Sequence, residues 1–201
     1  MRIGLSFLIL IFQCSCSNNS DADKRDSAIR EALIFLSTRE CAKAKVSLDE
    51  VGVNAFHADY LSALASVDAC FAGYSEINLF ANDLVGVSFS DANFFGPLAT
   101  FSSSTLSGAN DSSYRSLLSA IETLAYAGLV TVPLHANRLS VFPARDVANM
   151  NAQLLYMQLV QLGKYVNYYG DGVGTAIKGS GGNNTCFFSY SSNYALSLIH
   201  I

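Results

Sequence analysis

Apolar side chains recur at spacings of three and four residues through six segments between residues 26 and 168, and that period specifies amphipathic helices. Residues 26–39 (DSAIREALIFLSTR) place Ala28, Ala32, Phe35 and Leu36 on one side, with Arg30, Glu31 and Arg39 elsewhere. Residues 40–52 repeat the pattern with Cys41, Ala44, Leu48 and Val51. Residues 57–72 are alanine-rich, have high helix propensity and close on Gly73. A short segment spans 75–84. Another spans 114–127, with Leu117, Leu118, Ile121, Leu124 and Ala125 in register and Gly128 placed to cap its C-terminus. The longest, 145–168, carries a stripe of Leu155, Leu159, Leu162 and Val166 that Met150, Leu154 and Met157 widen. Apolar residues nearly surround it, which predicts the central buried helix. Short joins between such helices predict an all-α fold of antiparallel hairpins, forming one domain over residues 26–195.

Three stretches leave this pattern. Residues 86–113 are rich in Ser, Asn, Gly and Pro, with Phe89, Phe94, Phe95 and Phe101 spaced through them. Unstructured loops of this length are usually functional or disordered; the phenylalanines point to packing onto the helices as the default, with an exposed aromatic binding loop as the functional reading. In that functional reading Phe94 and Phe95 are candidate binding residues. Residues 170–184 form a glycine-rich loop flanked by Tyr165, Tyr168 and Tyr169, which are also candidate ligand contacts. Residues 130–144 contain two prolines and read as a connection. Overall, 51% of the chain is hydrophobic and 14% charged, enough for a sizeable core. A net charge of −4 argues against a nucleic-acid partner.

The N-terminal tract MRIGLSFLILIFQCSCSNNS joins one basic residue, Arg2, to a short apolar run over residues 3–12 and a Cys-Ser pair. That is the layout of an export signal, and the run is too short to span a membrane. The tract resembles the lipobox of bacterial lipoproteins, in which a cysteine is diacylated and becomes the new N-terminus. Cys16 follows a small residue, Ser15, and is the preferred lipidation site. Cys14 is the alternative, with apolar Ile11 three residues upstream but Gln13 directly before it. Several acyl chains would make attachment firm. Ser follows either cysteine, which by resemblance to enterobacterial sorting implies the outer membrane and a periplasm-facing domain. Residues 1–16 are thus expected to be a signal and 17–25 a flexible tether. At the other end, residues 196–201 (LSLIHI) resemble a translated sequencing adapter, which predicts that the natural chain continues past about residue 195. A short apolar strand is the alternative reading of those six residues.

Cys41 lies one residue inside the second expected helix and Cys70 near the end of the third. Consecutive antiparallel helices can bring the two together as a disulfide, and two free buried cysteines are the alternative. Cys186 would then be left over. The first helix pair resembles a tetratricopeptide-type repeat. With Ala44 taken as the small residue of the second helix, Ala32, Phe35, Leu48 and Val51 fall at small, aromatic, large apolar and small positions. Arg39 stands where the repeat usually has glycine. Plain packed helices explain the same apolar positions. As a whole the chain is similar to lipoproteins of predatory, Bdellovibrio-like bacteria, especially in ACFAGYSEINLF and LLYMQLVQLGKYVNYYGDG.

No catalytic motif stands out. The glycine-rich loop follows a helix and lacks the last glycine of GxGxxG, so it is not a phosphate cradle. His57 and His135 are isolated, which argues against zinc, with His57 placed at a helix start and His135 in a loop. Asp68 and Glu122 lie in apolar helical stretches, where a helix edge is the default and a buried functional carboxylate the alternative. No metal, cofactor or catalytic residue is expected. The sequence points to a membrane-anchored periplasmic module that binds or assembles a protein or peptide partner. The alternative is an accessory lipoprotein of a small-molecule transport system, similar to the T component of some TRAP transporters. An open groove would favour the first role, and a Tyr/Phe-lined pocket beside the glycine-rich loop the second.

Overall fold

The computed structural model of the chain describes residues 20–87, 95–106 and 111–169. Within them all regular structure is helical and no strand occurs. The α-helices are α1 (Asp21–Ser37), α2 (Cys41–Asp49), α3 (Ala58–Phe71), α4 (Glu76–Asn78), α5 (Phe95–Leu98), α6 (Ser112–Ala125), α7 (His135–Leu139) and α8 (Ala144–Tyr169). A π-helical turn over Leu79–Asp83 and a 3-10 turn over Leu84–Gly86 extend α4. Cys14, Cys16, Cys186, Phe94, the glycine-rich loop and the C-terminal tail lie outside the described residues.

Local chemistry starts the helices where they start. The Ser20 hydroxyl accepts from the Asp23 N–H, and the Asp23 carboxylate accepts from the Ser20 N–H. This reciprocal box satisfies two donors that a helix end leaves open. It sets the start of α1 at Asp21, so residues 21–25, expected in the tether, are helical. His57 caps α3 as anticipated, its Nδ1 accepting from the Tyr60 N–H at 3.2 Å. Asp111 caps α6. The stretch expected to be a plain connection contains α7, which His135 opens; five residues are too few to show a helical period in sequence.

α3 is the hub, packing against α1, α2, α6 and α8. Its alanines explain this: Ala63, Ala65 and Ala69 are buried on different sides and let several neighbours approach closely. Repeats in a solenoid meet only their neighbours; here four helices share one core around α3. At the position where the tetratricopeptide pattern has glycine, Arg39 adopts a positive φ of 61°, and its guanidinium donates to the Gly73 carbonyl at 3.1 Å. Cys41 and Cys70 form a disulfide that ties the start of α2 to the end of α3.

α8 was expected to bury Leu155, Leu159 and Leu162 at the centre of the molecule. Instead Leu155 is exposed and the other two are half-buried, while Val147, Met150, Leu154, Met157 and Val160 face the core. The same face carries Gln161 and Lys164, both fully buried. Two polar residues on the inner stripe disguise it in sequence. Lys164 donates to the Ser113 hydroxyl at 3.1 Å and the Thr105 carbonyl at 3.4 Å. Burial pulls its pKa down, and Asp111 acts in the opposite direction. Gly163 lets α5 cross α8 at backbone contact distance. There Leu98, Ala99, Phe101 and Leu106 are buried, so the described part of the long 86–113 segment is packed on the helices. Buried Arg138 donates to the Leu124 and Ala125 carbonyls at the end of α6 and to the Asn151 side chain. A cation suits the open carbonyls of a helix C-terminus.

Candidate functional site

An open groove runs along α3, between α1 on one side and α4 with α8 on the other. Its wider part has a volume of about 530 Å3 and a narrower extension adds about 200 Å3; both are lined by Leu33, Ser66 and Glu76. The floor is a polar stripe of α3: Asp59, Ser62, Ser66 and finally Cys70. Eleven helical steps from Asp59 to Cys70 make it roughly 17 Å long. The walls are apolar. Leu33 comes from α1, Ile77 from α4, Phe80 from the π turn and Tyr156 from α8, and the last two rings meet edge to face with centroids 4.7 Å apart. A π turn in place of an α turn is often found at functional sites. Gln153 holds α8 against the floor, donating to the Ser62 carbonyl at 3.1 Å and the Ser66 hydroxyl at 2.7 Å.

Two polar groups in the groove have no hydrogen-bond or ion-pair partner among the described residues, one exposed and one buried. Glu76 sits at the rim and pairs with no cation among the described residues. The protein crowded around its carboxyl raises the pKa by desolvation. Tyr74 is buried in the narrow part, and its hydroxyl has no hydrogen-bond partner among the described residues. Burial, with Glu76 and Tyr156 close by, pushes its pKa well above the ordinary range. An unsatisfied buried hydroxyl costs stability that a ligand atom can return.

The Glu76 shift has a measurable sign. A carboxyl whose folded pKa is raised binds its proton more tightly in the folded state. Its stabilising share is complete below the ordinary value of 4.5 and is lost as pH rises through the folded value. Glu76→Gln should therefore melt above wild type at neutral pH, with the gap closing below 4.5. Parallel melting curves for the two proteins across that range would contradict the assignment.

The residues singled out in sequence fall differently. Cys41 and Cys70 are joined, and Cys70 lines the narrow end of the groove. Phe95 opens α5, with its side chain outside the described residues, as are the side chains of Tyr168 and Tyr169 at the end of α8. Tyr165 is only 5% exposed and is part of the interior. Asp68 accepts from the Ser119 hydroxyl at 2.8 Å and bridges α3 to α6, and Glu122 is exposed, so neither is a buried carboxylate. Sequence reasoning missed Leu33, Tyr74, Glu76, Phe80, Gln153 and Tyr156. The usable signal was the serine and aspartate stripe of α3, a polar line on a helix otherwise enclosed.

Among the described residues no group of three or more His, Cys, Asp or Glu side chains could hold a metal ion. No helix among them is long and apolar enough to cross a membrane. Compared with protein-family models, curated proteins and solved structures, the chain gives no match.

Proposed function

We propose that the chain is a lipid-anchored binding module of the bacterial cell envelope, held at the outer membrane and facing the periplasm, which grips a peptide segment of a protein partner in the groove along α3. The observation that carries this reading is the groove itself: open along its length, with apolar walls and two polar groups that have no partner among the described residues. A segment with apolar side chains against Leu33, Phe80 and Tyr156 and a basic side chain at Glu76 suits the walls and the rim carboxylate. Helix-in-groove and extended-peptide recognition both use such anchors. A small solute passed to a carrier would need enclosure, which this open shape does not provide. The Cys-Ser sequences at residues 14–17 supply the anchor. No catalytic role is assigned.

A photo-reactive residue placed at Ile77 tests the groove. Capture of a partner should fall by about tenfold in a Phe80→Asp background, a loss of roughly 1.4 kcal/mol, with the melting temperature unchanged. Capture indifferent to Phe80→Asp would overturn the reading.

A further inference from the structure

Exposed apolar side chains are not spread evenly over this molecule. Among the described residues, eight of the sixteen large ones lie in two connections between the longer helices, residues 53–56 and 126–141, the second of which contains the short α7. Loops at the end of a helical bundle are ordinarily polar, so this concentration calls for a cause. The two connections form one surface. The Gly128 N–H donates to the Ala55 carbonyl at 3.0 Å, and Gly128 lies directly against Val141 and Phe142. From this surface Val53, Phe56, Leu129, Val132 and Leu134 point into solvent, each 47% exposed or more. Leu129 does so with a positive φ of 58°, a conformation that a non-glycine residue holds only at a cost.

The start of the described chain is at the same end. Arg39 meets Gly73, and Ile29 lines the same part of the groove as Asp59 and Ser62, so α1 and α3 run parallel and begin together. Continuing that register places Ser20 and Asp21 level with the Val53–Phe56 loop. From Cys16 to Ser20 is four residues, which reach at most roughly 14 Å; from Cys14 the limit is roughly 21 Å. An acylated cysteine at either position therefore holds this end of the domain beside the lipid.

We infer that the apolar end formed by residues 53–56 and 126–141 lies on the bilayer surface, as a second, non-covalent membrane contact next to the anchor. The inference rests on the lipid-anchored reading above. Side chains of this kind bury shallowly, at the boundary of headgroups and acyl chains. α1 and α3 then stand away from the membrane, with the Asp59 end of the groove nearest the lipid and its mouth opening sideways. A tethered domain without this contact would tumble, whereas one seated on its apolar end presents the groove in a fixed direction.

The chain contains no tryptophan, so single tryptophans report without background. Phe56→Trp, Leu129→Trp and, on the side of α8, Leu155→Trp are made in the full chain and placed on phosphatidylethanolamine and phosphatidylglycerol vesicles, with and without brominated acyl chains. The expected result is a blue shift on vesicle addition and several-fold stronger bromine quenching at positions 56 and 129 than at 155. Palmitate labelling of the same preparations reports the anchor separately. Label present with all three tryptophans unquenched overturns the docking surface and leaves the anchor standing. Label absent overturns the anchor; the vesicle measurement still decides the surface, because quenching confined to 56 and 129 requires that end to reach lipid unaided. Blue emission at 56 and 129 before vesicles are added also overturns the inference, since the end is then covered by the chain itself or by a second copy.

Discussion

Gly163→Ala should destabilise the protein by about 3 kcal/mol, the upper part of the usual range for overpacking. The sign is what makes the prediction sharp. Gly163 is inside a long helix, where replacing glycine by alanine ordinarily gains about 1 kcal/mol. Here the added methyl would lie 2.3 Å from the Leu98 carbonyl oxygen and 2.5 Å from the Ser104 hydroxyl. The carbonyl is backbone and has no rotamer to escape into. Ser104 is fully buried and already donates to that same Leu98 oxygen at 2.8 Å. α5 must therefore lift from α8, taking buried Leu98 and Phe101 with it. At roughly 2–4 °C per kcal/mol for a chain of this size, the melting temperature should fall by roughly 6–12 °C. Gly86→Ala is the control, because nothing lies within 4 Å of a methyl there. A Gly163→Ala protein that melts at or above wild type would show that the segment over residues 95–106 is not seated on α8 as described.

Loss of the Cys41–Cys70 disulfide should cost about as much. The bond closes a loop with a sequence separation of 29, which on the chain-entropy account contributes about 3.5 kcal/mol. Cys41→Ala with Cys70→Ala, which leaves no stray thiol, should lower the melting temperature by roughly 7–14 °C. The effect should reach the groove, because Cys70 lines its narrow end beside Tyr74 and Arg39. α2 has no side-chain cap at its N-terminus, so the disulfide is the main device fixing where that helix begins. Unchanged melting of the double variant would mean that packing of α2 on α1 and α3 suffices without the bond.

Much of the helical framework is legible in the sequence because long periodic segments carry their own signal. The alanine-rich stretch at 57–72 becomes α3 within a residue at each end, and 145–168 becomes α8. The Cys41–Cys70 pair, one of two readings open in the sequence, is the one the structure shows, at the start of α2 and the end of α3. What sequence does not show is which face of α8 turns inward. Leucines and methionines occupy both sides of that helix, and the inner side carries Gln161 and Lys164. Only the neighbours, Ser113, Thr105 and Tyr114, make those polar residues tolerable inside. The groove is hidden for a different reason. Its residues come from α1, α3, α4 with its π turn, and α8, and each reads singly as an ordinary surface position. Glu76 becomes notable only when the structure places it in one groove with Tyr74, Phe80 and Tyr156, forming no ion pair among the described residues although Arg39 lines the same narrow end. The Ser20–Asp23 box was present in the letters, but it lies within a polar run that reads equally well as a tether.

The central claim is that the groove along α3 holds a partner in the cell envelope. Site-specific photo-crosslinking in living cells tests it most directly, with the reactive residue placed in turn at Leu33, Phe80 and Leu155. The account predicts one common partner captured from Leu33 and Phe80, at least about tenfold more than from Leu155, whose exposed side chain lies outside the groove. Equal capture from all three positions, or capture from Leu155 alone, would contradict it.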